Sequence, residues 1–216
     1  MPAESPDALK RRASRIAAVL RRLYPQPDCA LKFRNAFELL IATILAAQCT
    51  DERVNQVTRT LFEKYPRPED FDALSQEQLE QEIRPTGFFR NKAKAIKAVC
   101  RALLEHHDGR VPGSMDALVA LPGVGRKTAN VVLGNCFGEP AMVVDTHVTR
   151  LSARLGLSRQ SHPDKIERDL TALLPRKHWW HFCNALTWHG RRCCTARKPD
   201  CSGCALAALC PSAGKV

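Results

Sequence analysis

Apolar residues recur at steps of three and four along almost the whole chain, and that spacing admits helices and little else. Leu9, Ala13, Ile16, Leu20 and Leu23 fall on one helix face, and Phe37, Leu40, Ile41, Ile44 and Leu45 on another. Val54, Val57, Leu61 and Phe62 mark a third helix, brought to an end by Pro66 and Pro68. Ser75 with Gln78 forms a capping box, and Leu74 with Leu79 staples the same helix start. Further stripes are Ile96, Val99, Cys100 and Leu103; Ile166, Leu170, Leu173 and Leu174; and Trp179, Phe182 and Leu186. The run Ala141 to Val144 is the one strand candidate. The expected fold class is all-α, with short Pro- and Gly-bearing breaks and no long linker or internal repeat.

At 216 residues the chain fits one domain or two small lobes. Its 44% hydrophobic and 25% charged content is that of an ordinary globular protein. The longest apolar stretch, Leu39 to Ala47, is interrupted by Thr43 and is too short to span a bilayer. A basic amphipathic segment follows the N-terminus without an apolar core, so no secretory signal is expected. The balance of 33 Lys+Arg against 22 Asp+Glu, net +11, points to a polyanionic partner, nucleic acid first.

Three constellations carry chemistry. Leu121-Pro-Gly-Val-Gly-Arg-Lys127 lies between a short helix starting near Ser114 and an apolar helix through Val131, Val132 and Leu133. Gly123 and Gly125 allow a tight turn, and the backbone N–H groups of Gly123, Val124 and Gly125, with Arg126, are placed to receive a phosphate without reading a base. Lys127 falls in the first turn of the second helix, where a cation opposes the helix dipole. The helix end, neighbouring Arg126 and partial burial each favour the neutral amine that a Schiff-base nucleophile requires. Asp145, after Val143-Val144, is placed to cap the helix through Leu151 and Leu155. A carboxylate there also suits the stabilisation of developing positive charge. His147 reads as structural or phosphate-facing.

Of ten cysteines, Cys194, Cys201, Cys204 and Cys210 form a C-x6-C-x2-C-x5-C run, and the other six read as small buried apolar residues. Without a secretory signal the clustered four are metal ligands rather than disulfides. The spacing suits an iron–sulfur cluster better than a zinc ribbon and leaves both open. This irregular segment is expected to need its metal to hold it. Arg191, Arg192, Arg197 and Lys198 give it a phosphate-seeking surface.

Together these residues resemble the endonuclease III family, helix-hairpin-helix DNA glycosylases with a C-terminal iron–sulfur loop. Leu121 to Leu133 is similar to that family's hairpin, Val144-Asp-Thr-His147 to its catalytic aspartate segment, and His189-Gly-Arg191 with the cysteine run to its cluster loop. The likeness extends from about Ala36 to Cys210. It implies two α-helical lobes: a six-helix barrel over 29–136, and a cluster lobe from 1–28 with 137–216, the active-site cleft lying between them. It further implies a bifunctional glycosylase and apurinic/apyrimidinic lyase acting on oxidised pyrimidines and abasic sites in duplex DNA. The lesion nucleotide is flipped out, and Gln48 and Phe88 correspond to the residues that fill the vacated stack. Lys127 corresponds to the nucleophile, Asp145 to the carboxylate that assists it, and the four cysteines to ligands of a [4Fe–4S] cluster. A monomer in the cytoplasm, associated with the nucleoid and not with a membrane, is expected. The family more often has Ser-Ala-Gln-Ala-Thr-Asp where this chain reads Ala46-Ala-Gln-Cys-Thr-Asp51, and Cys193 lies directly before the first presumed ligand. Two rival readings remain: a mismatch-adenine glycosylase of the same superfamily, and a non-catalytic iron–sulfur DNA-binding module. Lys127, and a chain ending at Val216 without an added recognition domain, weigh against the first.

Overall fold

Helices in this protein begin where a side chain accepts the N–H groups that the first turn leaves unbonded. A computed structural model describes residues 4–216. Ser5 caps α1 (Pro6–Leu23), Asn35 caps α2 (Ala36–Leu45) and Thr50 caps α3 (Asp51–Lys64). The short α4 (Pro68–Ala73) leads to α5 (Gln76–Ile83), where Ser75 and Gln78 form the expected capping box. A 3-10 turn over Arg84–Thr86 precedes α6 (Phe89–His106). Then follow α7 (Met115–Val119), capped by Ser114, and α8 (Arg126–Cys136). Asp145 caps α9 (Thr146–Arg154), and α10 (Pro163–Leu173) and α11 (Trp179–Arg192) complete the helices. No strand occurs among the described residues, so Ala141–Val144 is not the strand its composition allowed. It is extended backbone whose Ala141, Met142 and Val144 are buried in the core without a neighbouring strand to pair with.

The described residues separate into two compact units. One, Cys29–Glu139, carries α2 to α8 around a core built on α2. Phe37, Leu39, Leu40, Ile41, Ala42, Ile44 and Leu45 are all buried, so α2 is apolar around its circumference rather than on one face. Glu38 is buried with them. Its carboxylate accepts the Arg34 backbone N–H at 2.7 Å and pairs with the Arg34 guanidinium at 2.6 Å, which offsets its desolvation.

The other unit takes α1, α9, α10, α11 and the C-terminal segment. Ala13, Ile16 and Leu20 of α1 pack with Val148, Leu151, Ile166, Leu170, Phe182 and Leu186. Leu23, expected on the buried face of α1, is exposed because the helix ends there and Tyr24 turns the chain. Cys100 and Cys183 are buried, and burial pushes both thiols up to about 12. Cys29, Cys49, Cys136 and Cys193 are only half-buried, a departure from the reading of all six as core residues. No helix among the described residues is long and apolar enough to cross a membrane.

Candidate functional site

The α7–α8 hairpin buries Leu121 and Val124 and leaves Pro122, Gly123, Gly125, Arg126 and Lys127 exposed. Gly123 has φ +74°, a left-handed conformation that glycine adopts at little cost. Gly125 is the N-cap of α8 with φ −87°. A Cβ built on Gly125 would meet nothing within 4 Å, so packing inside this chain does not demand glycine there. Its absence opens the helix N-terminus to close approach from outside. Val124 departs from the expected set of phosphate donors, because its N–H bonds the Leu121 carbonyl at 3.1 Å and its side chain belongs to the core.

Lys127 is the second residue of α8 and is exposed. The partial burial expected for it is not found. Ala129, Asn130, Val132 and Leu133 form the buried face of α8, and at 100° per residue Lys127 lies roughly opposite.

Gln48 and Phe88 share an unusual property. Each is a non-glycine residue in the left-handed region, with φ +53° and +47°, and each is exposed, Phe88 to 62%. Gln48 sits in the tight turn joining α2 to α3. Phe88 follows Gly87, whose φ +68° and ψ 162° suit glycine almost exclusively. Holding such residues left-handed costs about 1–2 kcal/mol each, so their neighbours must enforce the conformation.

In the other unit, Asp145 Oδ1 accepts the Val148 backbone N–H at 2.7 Å, the expected cap. The Thr187 hydroxyl on α11 lies 3.1 Å from Asp145 Oδ2 and 3.1 Å from the Cys183 carbonyl, its single proton shared between them. Both ends of the carboxylate are thereby positioned, and Asp145 remains half-buried. Thr187 was not signalled by the sequence, since nothing local links it to a residue on a different helix. His147 Nδ1 lies 3.1 Å from the Arg150 guanidinium, consistent with a structural role, and burial lowers its basicity.

The cysteine segment is held by side chains from elsewhere in its unit. Arg154 donates to the carbonyls of Thr195 and Ala196 at 2.7 and 2.9 Å and reaches Cys194 Sγ at 3.3 Å. Arg150 donates to the carbonyls of Gly190 and Cys194, and Arg12 to those of Leu155 and Leu209. Leu206 and Leu209 are buried in the unit's core. The segment was expected to need its metal to hold it, and these contacts are further restraints that the sequence did not signal. The three arginines were missed because their carbonyl partners are remote in sequence.

Cys193, Cys194, Cys201, Cys204 and Cys210 all line one pocket, walled by Leu151, Leu155 and Leu206. Cys193 Sγ, Cys204 Sγ and a His189 ring nitrogen lie within 4.8 Å of one another. A set of thiols in an apolar, carboxylate-poor wall is the donor chemistry that iron–sulfur clusters and zinc use. His189 bridges Tyr24, 3.2 Å from Nδ1, and Cys204, 3.4 Å from Nε2. Its neighbour Gly190 is closely packed: an added Cβ would lie 3.0 Å from His147 and from the Arg150 guanidinium, which would have to give by a few tenths of an ångström. Arg197 and Lys198 are exposed on the segment, as is Arg191 at the end of α11.

Residues 41–176 match the model of the HhH-GPD superfamily of base excision DNA repair proteins. The endonuclease III of Synechocystis sp. is 53% identical over 208 residues, 94% of either chain. That of Bacillus subtilis is 47% identical over 189 residues, 87% of this chain and 86% of the relative. Among solved structures, a trapped endonuclease III–DNA covalent intermediate superposes with a TM-score of 0.91 at 44% identity, covering 94% of this chain and 96% of that one. A thermostable thymine-DNA glycosylase, 24% identical, shares the fold with a TM-score of 0.87 over 97% of this chain and all of its own. The chain belongs to the HhH-GPD superfamily of base excision DNA repair proteins and, within it, to the endonuclease III family.

Proposed function

We propose that this protein is a bifunctional DNA glycosylase and apurinic/apyrimidinic lyase of base excision repair, acting on oxidised pyrimidines and abasic sites in duplex DNA. The observation that carries the reading is an exposed lysine amine, Lys127, in the first turn of α8, two residues after a glycine N-cap open to close approach. The relatives named endonuclease III and the trapped covalent DNA complex of one of them support it.

The N–H groups of Gly123 and Gly125, with Arg126, grip the DNA backbone near the lesion. Gln48 and Phe88 enter the duplex from their left-handed turns and fill the space left by the flipped nucleotide. The Lys127 amine attacks C1′, the C1′–N bond to the base breaks, and the base leaves with a proton. The C1′–O4′ bond then breaks, O4′ takes up a proton and the ring opens to the Schiff base, which acidifies the C2′ proton. Its removal forms the C2′–C3′ double bond and breaks the C3′–O bond, expelling the 3′ phosphate. Asp145, oriented by Val148 N–H and Thr187, stabilises positive charge on the sugar and assists proton transfer. Arg191, Arg197 and Lys198 extend the contact with phosphate.

Cys194, Cys201, Cys204 and Cys210 would hold a [4Fe–4S] cluster. When bound, the cluster supplies a thiolate cross-link that fixes the segment carrying Arg197 and Lys198. The purified protein is expected to be yellow-brown, and Cys204→Ser to lose the colour. A colourless, folded protein with stoichiometric zinc would refute this assignment.

Borohydride reduction in the presence of an abasic duplex tests the activity. Wild-type protein should be trapped covalently on the DNA, whereas Lys127→Gln should bind the same duplex and yield no adduct. A mismatch-type glycosylase without a lysine nucleophile, or a binding module, gives no adduct in either form. Wild-type-like trapping by Lys127→Gln would remove Lys127 from the mechanism.

A further inference from the structure

Lys92 is a lysine on the buried face of a helix. It lies in the first turns of α6, next to Ala93 and in register with Ile96, Val99, Cys100 and Leu103, and is only 5% exposed. Its ammonium group donates to the Leu45 carbonyl at 2.8 Å and to the Thr86 carbonyl at 2.8 Å. Burial lowers its pKa, so the cation is held there against a desolvation penalty. A structural filler at this position would be apolar. A buried cation that satisfies two main-chain carbonyls from different segments is a cross-link.

The two carbonyls occupy telling places. Leu45 is the last residue of α2, where the helix dipole favours a cation and where the Gln48 turn begins. Thr86 is the last residue of the 3-10 turn and leads directly into Gly87 and Phe88. Among the described residues, Gln48, Phe88 and Asp108 are the non-glycine residues with positive φ. Two of the three therefore lie within three residues of a carbonyl that Lys92 holds. The turns also hold themselves in part: Ala46 N–H bonds the Ala42 carbonyl, Cys49 N–H that of Ala46, and Gly87 N–H that of Arg84. Each of these bonds closes its own turn, and none joins one turn to the other.

We infer that Lys92 is a positioning residue, a buried ammonium clamp that locks the Gln48 and Phe88 turns to each other so that both side chains enter the duplex as one pre-formed wedge. The inference rests on the assignment of Gln48 and Phe88 as the residues that fill the vacated stack. Tying both turns to one rigid helix means that neither has to be ordered on the DNA, which lowers the cost of capturing a lesion. Lys92 itself touches no DNA.

The test is a double-mutant cycle between Lys92→Met and Phe88→Ala. It is read as single-turnover excision from a base-paired lesion and as the fluorescence of a 2-aminopurine opposite it. Lys92→Met should slow excision about tenfold and reduce the unstacking signal. It should leave the salt dependence of undamaged-duplex binding, and borohydride trapping on single-stranded abasic DNA, as in wild type, because a single strand presents no stack to enter. In a Phe88→Ala background, Lys92→Met should add little further loss. Losses that multiply independently, or equal loss of trapping on single-stranded DNA, would overturn the clamp while the lyase reading stands. A Phe88→Ala protein with normal excision and unstacking would remove the wedge and the clamp together, again without touching trapping. Lys92→Gln, which can still donate to one carbonyl, should be intermediate in excision. If both Lys92 variants fail to fold, the residue is structural and the inference is overturned.

Discussion

Asp145 holds two partners that one substitution can separate from its charge. Asn keeps an oxygen for the Val148 N–H and a polar end beside Thr187, and Asn caps helices as well as Asp does. Asp145→Asn should therefore change stability by no more than about 0.5 kcal/mol. It should lower excision by about a hundredfold or more, the scale of lost charge stabilisation and acid–base assistance. Thermal melting beside single-turnover excision reads both quantities, and an unchanged rate would leave Asp145 a cap and nothing else. At this scale legibility followed sequence distance. The Asp145 cap spans three residues and could be read from the chain, as could the Ser75–Gln78 box. Thr187 lies 42 residues from its partner, and Arg154 41 residues from the Thr195 carbonyl it holds. Lys92 was legible in principle, because the stripe Ile96, Val99, Cys100, Leu103 extended back by one turn falls on it.

The hairpin shows how an element can be built for something outside itself. Gly123 and Gly125 look alike in sequence but serve different needs. Gly123 is required by its own backbone, φ +74°, so Gly123→Ala should cost about 1 kcal/mol of folding free energy. Gly125 has ordinary φ and open space around its Cβ position. Gly125→Ala should shift the melting temperature by less than about 3 °C. It should nevertheless weaken binding to every duplex alike, since the new methyl would stand in the path of the phosphate proposed to bind there. Comparable losses of stability in the two variants, with binding spared in the second, would place Gly125 among ordinary turn residues. The same scale marks where periodicity misleads. In α2 it identified a helix but understated its burial, because a stripe of five apolar residues cannot reveal that Leu39 and Ala42 are also covered. In Ala141–Val144 the apolar run was real and its burial was real, yet burial without a pairing partner makes an extended core segment and not a strand.

Across the whole molecule, an excess of 11 positive charges favours attraction to DNA that carries no sequence information, while the role proposed for Phe88 carries no charge. The two contributions are separable by salt. Each phosphate neutralised contributes about −0.9 to the slope of log affinity against log salt. Arg197 is exposed on the cysteine segment, whose carbonyls are held by Arg150 and Arg154. Arg197→Ala should thus weaken binding to lesion-bearing and undamaged duplexes equally and make the slope shallower by about one unit. Among the described residues Phe88 is the most exposed of the large apolar side chains, and its proposed entry into the stack would release no counterion. Phe88→Ala should slow lesion capture with the slope nearly unchanged. A salt titration of both variants on both duplexes decides the matter. A changed slope in Phe88→Ala, together with a purely lesion-dependent loss in Arg197→Ala, would show that wedge and phosphate grip have been assigned to the wrong side chains.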